Sequence, residues 1–283
     1  MIRLRHFAIL IFAIAVLEFA FFGVYRHMTA DRKAPVLKVG RDEMVCSVKD
    51  GEEKLLDGVK AGDDHDGDLT DQVMVENISN FTADGKRIVT YVVAYSSNHV
   101  SRATRTISYR DYTKPRFEVK TAPRFSVAEV DSKSDYSGFV KATDLIDGNI
   151  TRNIKISSVE DYKENEYGGF RDVIFQVSNS AGDTSTLPVT VSYTETGAPV
   201  VNLSSYVVYL KKNAGFNPGD YMASVEMGNN KYSVADFRET QKGAIDVRNS
   251  VNTKEPGVYS VEYAAKAASG KSSVIYMKVI VED

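Results

Sequence analysis

The densest chemistry in the chain is a run of acids. Asp63, Asp64, Asp66, Asp68 and Asp71 occupy five of nine positions, in and just after V-K-A-G-D-D-H-D-G-D-L-T, which runs from Val59 to Thr70. Five carboxylates so close repel one another. A hard cation with oxygen ligands would relieve that repulsion, so calcium is the ion this run could hold. The EF-hand spacing does not fit: with its invariant glycine on Gly67, Gly62 falls at the first ligand position and Val73 at the twelfth. The competing reading is local, because Asp-Gly pairs make turns and Asp and Thr side chains cap neighbouring amides.

The same frame returns as V-K-A-T-D-L-I-D-G-N-I-T from Val140 to Thr151, each matched position displaced by 81 residues. An ungapped match of this kind marks an internal repeat. Of the acids only Asp144 and Asp147 persist, at the places of Asp63 and Asp66. Those two positions are therefore expected to serve the fold, with the extra acids of the first copy dispensable to it.

Little else in the sequence suits catalysis. The four histidines are His6, His27, His65 and His99, and H-E-x-x-H, G-x-S-x-G, C-x-x-C and glycine-rich phosphate-loop patterns are missing. The expectation is a protein that is not an enzyme. The one cysteine, Cys46, rules out an intrachain disulfide; it alternates with Met44 and Val48 and reads as a small buried hydrophobe. A net charge of -3 and a pI near 5.9 argue against a nucleic-acid partner, which calls for a basic face. Tyrosines in pairs, such as Tyr206 and Tyr209, Tyr221 and Tyr232, and Tyr259 and Tyr263, could stack on sugars if exposed; alternate strand positions favour packing instead.

These residues need a frame, and the chain begins with a membrane signal. Arg3 and Arg5 precede an apolar run from Phe7 to Val24, eighteen residues or about 27 Å of helix, close to a bilayer's hydrocarbon thickness. A cleaved secretory signal would have a shorter core and a small-residue site; the nearest candidate, Met28-Thr29-Ala30, fits poorly. The expected layout is residues 1–6 cytoplasmic, 7–24 as a retained single-pass anchor, and 25–34 as linker, with the rest outside the membrane. Glu18 sits inside the apolar run, either snorkelling outward or meeting a partner helix, which would make the chain an accessory subunit of a membrane complex.

After the linker, short alternating segments separated by turn signals give about seven strands in each of three stretches of roughly 80 residues. The long strands are Arg87 to Tyr95, Asp172 to Val177 and Val258 to Tyr263. Their inward-facing Val89, Tyr91, Val93, Val173, Phe175, Val177, Val261 and Tyr263 form the expected core. Opening prolines at 35, 115 and 199 set the modules at 35–113, 114–196 and 197–283. Pro188 suits an edge position, and Val234 to Thr240 reads as a helical turn or loop. This is an all-β chain: three tandem antiparallel β-sandwiches behind one N-terminal transmembrane helix.

The opening A-P-V or K-P-x, the A-x-D-x-x-D-G-x-[LI]-T loop, the G-x-[YF]-x-[VI]-x-[YF] strand and the late N-x-x-G-x-[TS] turn together resemble bacterial immunoglobulin-like repeats. They are similar to the modules of insecticidal crystal proteins and to hyalin-type repeats of bacterial surface proteins. The second module keeps the late turn at Asn179 to Ser185; the first has Asn98 where the glycine belongs; the third lacks the D-G-x-x-T core across Ala223 to Asn230. The resemblance implies immunoglobulin-like sandwiches on a cell surface, acting as spacers or adhesive modules toward protein or glycan. Three domains set end to end would carry the divergent third, as the distal one, clear of the membrane. A calcium-stiffened rod is the further alternative.

Overall fold

In the computed structural model, residues 2–29, 33–94, 100–131 and 134–283 are described. The apolar run forms one helix, α1 (Ile2–Thr29), longer at both ends than the expected span. Its stretch Arg5–His27 is long and apolar enough to cross a membrane, and none of it is buried against the rest of the chain.

The first repeat contributes β1 (Val36–Val39), β2 (Glu43–Cys46), a one-turn helix α2 (Glu52–Leu55), β3 (Val59–Asp63), β4 (Gly67–Asp68), β5 (Met74–Ile78), β6 (Arg87–Ala94) and β7 (Val100–Tyr109). The second contributes β8 (Arg116–Glu118), β9 (Arg124–Ser126), β10 (Lys141–Asp144), β11 (Gly148–Asn149), β12 (Lys155–Val159), β13 (Lys163–Asn165), β14 (Gly168–Ser178) and β15 (Thr184–Thr194). The third contributes β16 (Val200–Leu203), β17 (Val207–Lys211), β18 (Met222–Met227), β19 (Asn230–Tyr232), α3 (Val234–Glu239), β20 (Ala244–Asn249), β21 (Gly257–Lys266) and β22 (Ser272–Glu282).

All three repeats follow one plan. A small sheet (β1-β3-β4, β11-β10-β8, β16-β18-β19) faces a larger one (β2-β7-β6-β5, β12-β14-β15-β9, β17-β22-β21-β20). An antiparallel hairpin of long strands forms the centre of each larger sheet. Its last strand also pairs in parallel with an early one: β2 with β7, β9 with β15, β17 with β22. The eight expected core residues are all at most 1% exposed, and Cys46 is fully buried. Alternation produced that result: every second residue of β6, Val89, Tyr91 and Val93, turns inward. Pro188 lies in β15, yet β9 flanks β15 only along Ser192–Thr194. The proline therefore sits where no neighbour needs its missing N–H. Ser233 caps α3 by accepting the Asp236 amide, which makes Val234–Glu239 a true helix.

The chain divides into two compact units, Met1–Asp111 and Tyr112–Asp283. The buried residues of the second and third sandwiches form one continuous cluster, so these two share a core and do not stand end to end. The contact runs between β15 and β22, each buried on both faces over much of its length. The odd-numbered Val189, Val191 and Tyr193 face their own sandwich, while Thr190, Ser192 and Thr194 face the neighbour. On β22, Ile275 and Met277 face inward, and Val274, Tyr276 and Lys278 meet the second sandwich. Phe170 packs on Tyr276 at 5.3 Å between centroids, and the Asn165 amide donates to the Tyr276 hydroxyl at 3.1 Å.

Candidate functional site

The two Asp loops are built alike, nearly bond for bond. Asp63 Oδ1 accepts the amides of His65 (2.7 Å) and Asp66 (3.1 Å); Asp144 Oδ1 accepts those of Ile146 (2.8 Å) and Asp147 (3.1 Å). Gly67 and Gly148 close the turns at φ +75° and +70°, the left-handed region that glycine enters without a Cβ clash. Leu69 and Ile150 follow and are buried. Thr70 and Thr151 then bridge back, each hydroxyl bonding both the amide and the carbonyl of the buried alanine that opens the loop, Ala61 or Ala142. The Ala, first Asp, Gly and Thr of A-x-D-x-x-D-G-x-[LI]-T thus shape the loop's backbone, and the [LI] position anchors it in the core.

The remaining acids do not converge. Asp64 pairs with Lys33 at 2.7 Å, and that ammonium holds its carboxyl below the usual carboxylate range. Asp68 accepts the Thr70 amide at 2.9 Å, and Asp71 is exposed. Among the described residues no three Asp, Glu, His or Cys side chains come together to hold a metal ion. Saturating a calcium site a hundredfold above its dissociation constant adds about 2.7 kcal/mol of stability, worth several degrees of melting temperature in a domain of this size. We expect less than about a 1 °C change in the full chain's melting midpoint between excess calcium and chelator; a rise of several degrees reinstates the cation site.

In the second repeat the loop is clasped to the late turn, a contact that neither motif shows alone. Asn179 is buried at 6% exposure. Its Nδ2 donates to Asp144 Oδ2 (3.1 Å) and to the Tyr112 hydroxyl (2.9 Å), while its Oδ1 accepts the Asp183 amide (2.9 Å). The Tyr112 hydroxyl donates in turn to Asp183 Oδ2 at 3.0 Å. Burial, with Asp183 beside it, pushes the Tyr112 phenol well above its ordinary value. Asp147 accepts both the amide and the hydroxyl of Ser180 at 2.6 Å. The equivalent turn of the first repeat, Tyr95 to His99 with Asn98, lies outside the described residues, as does Ala30 of the Met28-Thr29-Ala30 stretch. In the third repeat β18 and β19 replace the loop with a hairpin that turns through Gly228 and Asn229, and Lys271 stands where Asp183 would, donating to the Thr196 carbonyl.

The strand tyrosines pack, as alternation favours: Tyr206 is 3% and Tyr263 0% exposed, and Tyr209 lies under Arg116 while accepting the Phe117 amide. A concave surface of this unit lies elsewhere, where the second and third sandwiches meet. Two adjoining hollows of about 310 and 570 Å³ share Arg124, Phe125, Ser126 and Glu226. Arg124 and Phe125 come from β9, Glu226 from β18. Arg124 Nη2 lies 3.6 Å from Glu226 Oε2, and the Asn202 amide of β16 reaches that same oxygen at 3.4 Å. Sequence reasoning missed this groove, because its members are about a hundred positions apart and carry no shared motif.

No protein-family profile matches the chain. An uncharacterized 81.3 kDa protein of Acholeplasma phage L2 is 27% identical over 160 residues, 56% of this chain; the match spans 21% of that protein, about a fifth of its length. Among solved structures, the M60 catalytic domain of Clostridium perfringens ZmpB with its CBM51-1 and CBM51-2 domains is 13% identical, covering 88% of this chain and 31% of that one at a TM-score of 0.24. The lipoprotein BT2262 of Bacteroides thetaiotaomicron is likewise 13% identical, covering 86% and 98% at a TM-score of 0.20. Likenesses this distant bear on neither ligand nor activity.

Proposed function

We propose that the chain is a non-catalytic, membrane-anchored cell-surface protein whose tandem immunoglobulin-like sandwiches act as spacer and adhesion modules toward a protein or glycan. The observation that carries this reading is α1. Its apolar side chains are exposed on every side, with Phe12 at 71%, Leu17 at 69% and Phe19 at 81%. A soluble chain would leave that surface in water at a cost of about 25 cal/mol per Å², and a bilayer removes the cost. Three sandwiches follow the helix in the chain, so an anchored helix would leave them for display outside the membrane. On this reading α1 stays attached, its N-terminus inside.

The test is N-terminal sequencing of the membrane-extracted protein together with protease treatment of intact cells. We expect the sequence to begin within the first residues of the chain, and the sandwiches to be cut or labelled from outside. A mature N-terminus beyond Ala30, or sandwiches protected in intact cells but cut after lysis, overturns the anchored display reading.

A further inference from the structure

We propose that the groove between β9 and β16 is a binding site for a neutral carbohydrate of one or two rings; this rests on the adhesion reading and names its ligand class. Its two hollows fall within the range of about 300–1,000 Å³ usual for small-ligand sites. Three planar polar groups line it: a guanidinium, a carboxylate and an amide. Their mutual contacts, at 3.4 and 3.6 Å, are too long to use up their donors and acceptors. Neighbouring hydroxyls on a sugar each need one donor and one acceptor, and this trio offers both. The charged side chains lining the two hollows are Lys120, Arg124, Glu129, Glu195 and Glu226, two cations against three anions, a balance that selects against phosphates and polyanions.

The apolar requirement is met as well. The half-buried rings of Phe125 and Phe139 stand edge to face at 5.2 Å in the wall of the larger hollow and can cover the C–H face of a ring. Around the trio, buried polar groups lack partners. Ser192, ladder neighbour of Arg124, is 1% exposed; Ser224, ladder neighbour of Asn202, is 3% exposed. Neither hydroxyl has a hydrogen-bond partner, and neither does that of Thr194 in the wall of the smaller hollow. Buried hydroxyls are normally satisfied; that of Thr194, in the lining of the smaller hollow, is the one placed to meet an arriving polar group, whereas Ser192 and Ser224 line neither hollow. An extended peptide fits less well. The two edge strands offer only three and four residues, and the β16 ladder breaks between Asn202 and Leu203.

The experiment is saturation-transfer NMR on the full chain in a detergent without a sugar headgroup, with cellobiose, lactose and chitobiose as probes. We expect transfer to the ring protons of at least one disaccharide. In an Arg124→Ala/Glu226→Ala double variant we expect affinity to fall at least tenfold with the melting midpoint unchanged, since both side chains are substantially solvent-exposed. No transfer to any of the three, equal transfer in the double variant, or transfer to an extended Ser/Thr-rich peptide in place of the sugars overturns the site. The intact-cell protease result separates the two failures: a displayed chain that ignores all three sugars loses this site but keeps its surface role.

Discussion

Asn179→Ala should be among the most damaging single changes in the 112–283 unit, with an expected loss of about 2–4 kcal/mol. The truncation removes three hydrogen bonds at once, to Asp144, Tyr112 and Asp183, at a site 6% exposed. The cost comes mainly from what remains. Asp144 is 7% exposed and loses a donor that nothing nearby replaces, and a buried acceptor left unsatisfied costs more than the bond itself contributed. Urea unfolding of the full chain should show the transition of this unit moving to lower denaturant while that of residues 1–111 stays fixed. Asn179→Asp provides the pH arm. A carboxylate there faces Asp144 and Asp183, so like charges raise its folded pKa. The added charge penalty is then absent below the unfolded value near 4 and grows from there up to the folded value, because the folded form gives up its proton less readily. We expect Asp to be worse than Ala at pH 7 and to approach it below about pH 4. A midpoint unmoved by Asn179→Ala would show that the clasp is ornamental and that the loop stands alone.

This clasp also shows how far the sequence could be read. The repeat frame, the buried alternation of β6, β14 and β21, and the turn role of Asp144 and Asp147 were all legible, because each is a local pattern enforced by one face or one turn. The edge strands were not. β12 is exposed at all five positions and therefore shows no alternation, and α2 is a single turn. The side-by-side packing of the second and third sandwiches left half a signal. Val274 to Val281 is apolar at both parities apart from Lys278, the pattern of a strand buried on two faces. Its counterpart on β15 is the set Thr190, Ser192 and Thr194, indistinguishable in sequence from a solvated face. The groove inherits that opacity, since Arg124 and Asn202 become neighbours only once β15 lies against β22.

That packing carries a buried charge, and its two halves should respond unequally to mutation. Lys278 is 13% exposed in its side chain and lies 3.8 Å from Asp172, which also accepts the Thr190 hydroxyl. Breaking such a pair from one side leaves a buried charge without its partner, at a cost of about 3–5 kcal/mol for a fully buried pair; replacing the charge by an apolar side chain of similar size is often neutral. Asp172 is 29% exposed, so we expect Asp172→Ala to cost about 2–3 kcal/mol and Lys278→Met to stay within about 1 kcal/mol of the parent. Burial also pushes the Lys278 ammonium below the ordinary lysine value, against the pull of Asp172. Between that depressed value and about 10.5 the unfolded chain binds more protons than the folded one, so stability rises with pH in this window. Lys278→Met should flatten that rise, and Asp172→Ala should steepen it. Above about pH 10 the sign reverses, because burial raises the Tyr276 phenol and the folded state holds a proton that the unfolded state releases. Denaturant midpoints at several pH values from neutral to about pH 11 read all three effects. Equal damage from the two variants would mean that the ion pair itself is net stabilising and that an apolar side chain of similar size cannot stand in for Lys278. The predicted asymmetry instead ties the rigidity of the sandwich pair to Asp172, and with it the spacing of Arg124 from Asn202 and Glu226. Asp172→Ala should then weaken any ligand of that groove without touching it.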